Sequence, residues 1–140
     1  MATLAANTPR AYDIMGDERD NDLPVINADI IYEGAAVGIS SGLARPLVAA
    51  DAFQGFALQK ADNAAGAASA INVRVRERGA IQLAVAGASA VTDRSSTVYA
   101  TDDNTFTLTA SGASSIGKVL RWVTSTTCIV YFESAALRSI

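Results

Sequence analysis

Between residues 71 and 85 the apolar side chains fall at every second position. That rhythm limits the folds open to this chain more than any other part of it. Ile71, Val73 and Val75 share one face while Asn72, Arg74 and Arg76 occupy the other, and Ile81, Leu83 and Val85 resume the pattern around Gln82. A period of two belongs to an extended strand covered on one side. Gly79 lies between the two runs and permits a turn or a bulge, so a hairpin is predicted here. A one-residue slip would expose three aliphatic side chains, each worth about 1.5–3 kcal/mol of burial, so register is strongly specified.

Residues 30–39 read as a short strand bent at its glycines, 40–46 as a turn leading to Leu47 and Val48, and 53–60 as another strand. The alanine-rich tract 61–70 has a helical composition. Asp62, Asn63, Gly66 and Ser69 nevertheless favour a loop, with a short helix as the alternative, because the tract has nothing larger than alanine to bury. Strands are predicted again at 97–100, 105–109, 116–123 and 127–132, with turns between them. The 140 residues suit one domain. The expected class is all-β, a small barrel or sandwich of short antiparallel strands with an extended N-terminal arm.

That arm is residues 1–29, ahead of a β domain over 30–140. Asp17, Glu18, Asp20 and Asp22 repel one another with only Arg19 between them, which favours an arm or loop over a core element. Two readings are open: a frayed terminus, or an arm that becomes ordered on a neighbouring subunit. Tyr12, Ile14, Met15, Leu23, Val25 and Ile26 would be the apolar anchors of the second, and deletion of 1–29 should then leave a folded domain. Arg74 and Arg76 project from one strand face, joined by Arg78 if the strand continues. They form either an ordinary solvated face or an inter-subunit contact, for which the acidic residues 17–22 of another chain are a counterpart. The net charge of −3 and the scarcity of free aromatics argue against a nucleic-acid platform.

Little in the chain points to chemistry. Histidine is absent, which removes the commonest general base and transition-metal ligand. Cys128 is the only cysteine, so an intramolecular disulfide, a zinc knuckle and a redox pair are excluded, and a strand cysteine beside apolar residues is a packing group. Asp93, Asp102 and Asp103 read as turn formers. Residues 17–22 lack the central glycine of a calcium loop, and Gly34, Gly38 and Gly42 lack the Gly-Lys-Ser/Thr of a phosphate loop. No catalysis, cofactor or metal is expected, nor a signal peptide or membrane-spanning helix. Charged residues make up only 18%, sparse for the surface of a small monomer, which suggests that neighbouring chains cover part of it.

From about Gly34 to Glu133 the chain resembles the head-decoration, or capsid cement, proteins of tailed bacteriophages. The points of likeness are the glycine-rich first strand ending near Gly38, residues 50–57, the loop 61–63 and the strand 73–75 leading to Gly79. Val98-Tyr99 ahead of residues 102–104, and Ile116-Gly117-Lys118 before the last hairpin, complete it. The resemblance implies a compact, commonly trimeric β domain on the outer surface of the virion head, bound to the major capsid protein. Such a protein stabilises the expanded shell and has no sequence-specific nucleic-acid or membrane partner. Residues 93–97 depart from the pattern, since many relatives have a glycine there. The alternatives are a β-rich tail or baseplate module and a cellular binding module, both without catalysis.

Overall fold

Where a hairpin was predicted, one strand, Asn72–Ala86, runs for 15 residues without a break. The computed structural model describes residues 3–138, and in it Val73, Val75, Glu77, Gly79, Ile81, Leu83 and Val85 keep to one face throughout. Gly79 does not turn the chain. It stands opposite Phe132, and a Cβ there would come within 3.3 Å of that ring, so the glycine makes room for an aromatic side chain on the neighbouring strand.

This strand is β8 of an all-β chain. Before it come β1 (Tyr12–Asp13), β2 (Arg19–Pro24), β3 (Asp29–Ile31), β4 (Ala36–Ser40), β5 (Leu43–Pro46), β6 (Gly55–Ala57) and β7 (Ala61–Asn63). After it come β9 (Thr97–Ala100), β10 (Phe106–Thr107), β11 (Ser114–Thr124) and β12 (Thr127–Glu133), with one short 3-10 turn at Val91–Asp93. The second half of β8 pairs with β12, β12 with β11, β11 with β9 and β9 with β10. β10 returns to β8 in parallel and closes a five-stranded barrel. Closure leaves the barrel strands no free edge over that stretch.

The first half of β8 serves a second core. It pairs with β2 on one edge and with β6 on the other, and β6 leads on to β4 and β5. Just past β2, Val25 bridges to Ala44 of β5, so these peripheral strands curl back on themselves. Val25, Val37, Ala44, Ala57, Val73 and Val75 are buried together there, with Leu4 and Ile31. Ile81, Leu83, Val85, Ile116, Val130 and Phe132 fill the barrel. Phe132 is its aromatic hub, with ring centres 5.0 Å from Phe56, 6.2 Å from Phe53 and 6.3 Å from Tyr12. Cys128 is buried among these side chains, and burial raises its thiol pKa.

Two expectations change here. The leading segment does not stand apart: β1 and β2 pair with β8, and Leu4 and Val25 enter the second core. Its acids are tolerated because β8 faces them with arginines. The tract 61–70 opens as a strand, since β7 pairs with β3 and Asn63 donates its side-chain N–H groups to the carbonyls of Ile26 and Ala67, both at 2.9 Å. At Gly117 of β11 a Cβ would run into the backbone of Tyr131, so only glycine fits where β11 and β12 cross so closely.

Candidate interaction surface

The register of β2 on β8 sets Asp20 opposite Arg76 and Asp22 opposite Arg74, which makes cross-strand ion pairs. Arg76 Nε lies 3.0 Å from Asp20, and Arg74 Nη1 lies 3.1 Å from Asp22. The hydrogen bond to Asp20 is the main reason the Arg76 pKa rises. The Arg76 guanidinium also lies 4.9 Å from the centre of the Tyr12 ring, and burial pushes the Tyr12 phenol up to about 12. Arg78 stands 3.6 Å from Asp17 and 3.8 Å from Glu133. Arg74 and Arg76, expected to face another subunit or solvent, are both paired within their own chain. The neighbour in sequence order, Glu77, points inward between the two cores and is buried, with Arg19 Nε 3.3 Å away.

The expected anchors divide. Tyr12 packs against the barrel core, Leu23 against the second core, and Val25 is fully buried. Ile26 donates its backbone N–H to Ala44 at 2.9 Å. None of these four is offered whole to a partner. Ile14 and Met15 are, at 97% and 39% exposure, on the turn between β1 and β2. Glu18 fixes that turn: its carboxylate accepts the N–H groups of Met15 at 2.6 Å and Gly16 at 3.1 Å. Those backbone bonds hold the Glu18 carboxyl below its usual range. Gly16, at φ +91°, supplies the left-handed conformation that the turn needs.

On the far side of β8 from this turn, over β11 and β12, lies a hollow of about 250 Å³ with mainly carbon walls. Thr97, Gly117, Lys118, Tyr131 and Glu133 line it. Arg138 braces one side, donating to the Ser115 hydroxyl at 2.9 Å, the Ser115 carbonyl at 2.8 Å and the Glu133 carbonyl at 3.0 Å. Burial lowers the Arg138 pKa and raises that of the Tyr131 phenol, which donates to Glu133 at 3.2 Å. Lys118 is exposed and has no ion-pair partner among the described residues. A second hollow, of about 360 Å³, lies between residues 3–5 and Ala28, Ile30 and Tyr32.

One end of the barrel has few charges. The end of β8, the β10–β11 loop and the tip of the β11–β12 hairpin meet there: Leu108 N–H donates to Ala86 at 3.1 Å and Val85 N–H to Thr126 at 2.8 Å. No charged residue occurs in 79–92, 104–117 (up to Lys118) or 122–132. Val91 is 71% exposed at this end, and Leu120 and Val123 are exposed nearby. Three charges flank them, and each is engaged: Arg121, between Leu120 and Val123, stands 3.6 Å from Asp13. Asp93 accepts the N–H groups of Ser89 and Ala90, which lowers its pKa, and Arg94 donates to the Leu120 carbonyl at 3.0 Å.

Asp102 forms a turn, accepting the Asn104 N–H at 2.8 Å and the Thr105 hydroxyl at 3.0 Å. Asp103 does more than turn the chain. It is fully buried, and its carboxylate accepts the N–H groups of Thr3 at 3.0 Å and Leu4 at 3.3 Å, tying residues 3 and 4 to a loop a hundred positions away. Burial raises its pKa. Sequence reasoning missed the long-range bonds of Asp103, the turn-fixing bonds of Glu18, and the hollow. Only the odd position of Glu77 in an apolar face could have marked that residue as buried.

Among the described residues no group of three or more Asp, Glu or Cys side chains could hold a metal ion, and no helix is long and apolar enough to cross a membrane. No known family model matches the chain, and comparison with curated proteins finds no match.

Proposed function

We propose that this chain is a non-catalytic structural protein that decorates a capsid, with the uncharged end of its barrel set against the major capsid protein of an expanded phage head. The observation that carries this reading is that end itself. Val91, Leu120 and Val123 are exposed on a closed barrel, amid serine, threonine and alanine, with Asp93 and Arg94 hydrogen-bonded and Arg121 3.6 Å from Asp13. Such a surface can be covered by a partner without stripping water from unpaired ions, the large penalty in burying charge. The barrel's closed strands suit a clamp that keeps its shape under load, and linked engagement of several subunits multiplies modest contacts into firm retention.

The finer picture is a small-barrel decoration domain on the outer head surface, acting as an oligomer that bridges capsid subunits. It draws on the resemblance over residues 34–133 together with the sparse charge. Contact with the shell is assigned to the barrel end, since Tyr12, Leu23, Arg74 and Arg76 are engaged within the chain. Sedimentation with purified expanded heads tests it. Wild type should co-sediment saturably, and Val91→Asp with Val123→Asp should abolish retention while preserving the fold.

A further inference from the structure

We infer that two copies of this chain pair reciprocally, each inserting Ile14 into the hollow beside Lys118 of the other. The inference concerns a different surface from the barrel end and does not depend on what that end binds.

Three observations point to a second copy as the occupant. The first is fit. Ile14 is 97% exposed on a turn already locked by Glu18, so its projection needs no further ordering, and the hollow's 250 Å³ of mainly carbon-lined space admits a branched aliphatic side chain. The second is charge. Asp13, Asp17 and Glu18 lie within four residues of the isoleucine, Asp13 being 3.6 Å from Arg121 and Asp17 3.6 Å from Arg78, whereas at the hollow Lys118 and Arg138 have no ion-pair partner among the described residues. An acid-flanked knob thus meets a pocket whose free charge is positive.

The third is placement. Asp13 stands opposite Ala80, Ala80 opposite Tyr131, and Tyr131 opposite Lys118, so knob and hollow lie along one row across four neighbouring strands. Arg78 joins them, 3.6 Å from Asp17 and 3.8 Å from Glu133. A knob and a pocket on one face, with a two-fold axis between them, meet their counterparts in the same operation, and the pair closes on itself. A knob and pocket on opposite faces would instead build a chain.

Sedimentation equilibrium of the full chain over a concentration series tests this. Wild type should approach twice the 14.5 kDa chain mass. Ile14→Asp, which removes the knob, and Thr97→Tyr, which fills the hollow, should each weaken pairing about a hundredfold while thermal melts show an intact fold. Mixing the two variants restores one of the two contacts and should give more dimer than either alone. A monomer at every concentration, a trimer, or a dimer unchanged in both variants would overturn the inference. So would an Ile14→Asp protein that pairs normally yet no longer sediments with capsids, which would assign the knob to the shell.

Discussion

The guanidinium of Arg76 lies 4.9 Å from the centre of the Tyr12 ring while its Nε–H is bonded to Asp20 at 3.0 Å. One side chain of β8 thereby holds both strands of the leading segment. An exposed ion pair is worth about 0.2–1 kcal/mol and a cation–π contact about 0.5–1 kcal/mol. A double-mutant cycle of Arg76→Ala with Asp20→Ala, read by urea unfolding, should give a coupling near 0.5–1 kcal/mol that shrinks with added salt. Zero coupling would mean that the pair adds nothing to docking.

Removing residues 1–29 should not leave an intact domain. The truncation takes away Val25, which is wholly buried, together with Leu4 and the whole pairing of β2 on β8. The loss of buried apolar side chains alone predicts at least about 3 kcal/mol of destabilisation. Urea or thermal unfolding of the truncated chain measures it, and wild-type stability would contradict the docked arrangement.

Asp103 gives stability a pH dependence of unusual sign for a carboxylate. Its folded-state pKa is raised, chiefly by burial. Its contribution is therefore full below the unfolded-state pKa near 3.9 and is lost as pH rises through the folded-state value. Asp103→Asn keeps one carbonyl acceptor for Thr3 and Leu4 but removes the buried charge. It should melt at or above the wild-type temperature at neutral pH, with the advantage vanishing in acid. Asp103→Ala leaves two N–H groups without an acceptor and should lower stability by about 1–3 kcal/mol.

Gly117→Ala should be among the most damaging small substitutions in the chain, because the added carbon falls on the Tyr131 backbone rather than on a movable side chain. Phe132→Ala should lose about 3–5 kcal/mol by emptying the aromatic hub. Gly79→Ala meets side chains alone, the Phe132 ring edge at 3.3 Å and Arg76 Cδ at 3.5 Å, and should be milder than either. Thermal melts of the three variants rank them, and a Gly117→Ala protein as stable as wild type would show that β11 and β12 can separate there.

The all-β class was legible from alternation, yet the strongest alternating stretch was misread. Residues 73, 75, 81, 83 and 85 are all odd, so the apolar face passes Gly79 without a change of phase, as one continuous strand requires. The glycine reflects the size of Phe132, a tertiary fact that no local pattern carries. β7 was missed for a similar reason, since residues 61–63 become a strand only by pairing with β3. Charge complementarity between residues 17–22 and the arginines of β8 was visible. Which chain supplied the acids was not, because complementarity alone is the same within one chain as between two. The Ile14 turn depends on Glu18 reaching back to two backbone N–H groups, a bond set by side-chain conformation rather than by spacing.

The proposed role stands or falls on what the uncharged barrel end touches in an assembled particle. Cryo-electron microscopy of expanded heads incubated with the full-length chain should show ordered density on the outer surface, with Val91, Leu120 and Val123 against the shell protein. Heads that remain bare at saturating protein, or density in which that end faces solvent, would contradict it.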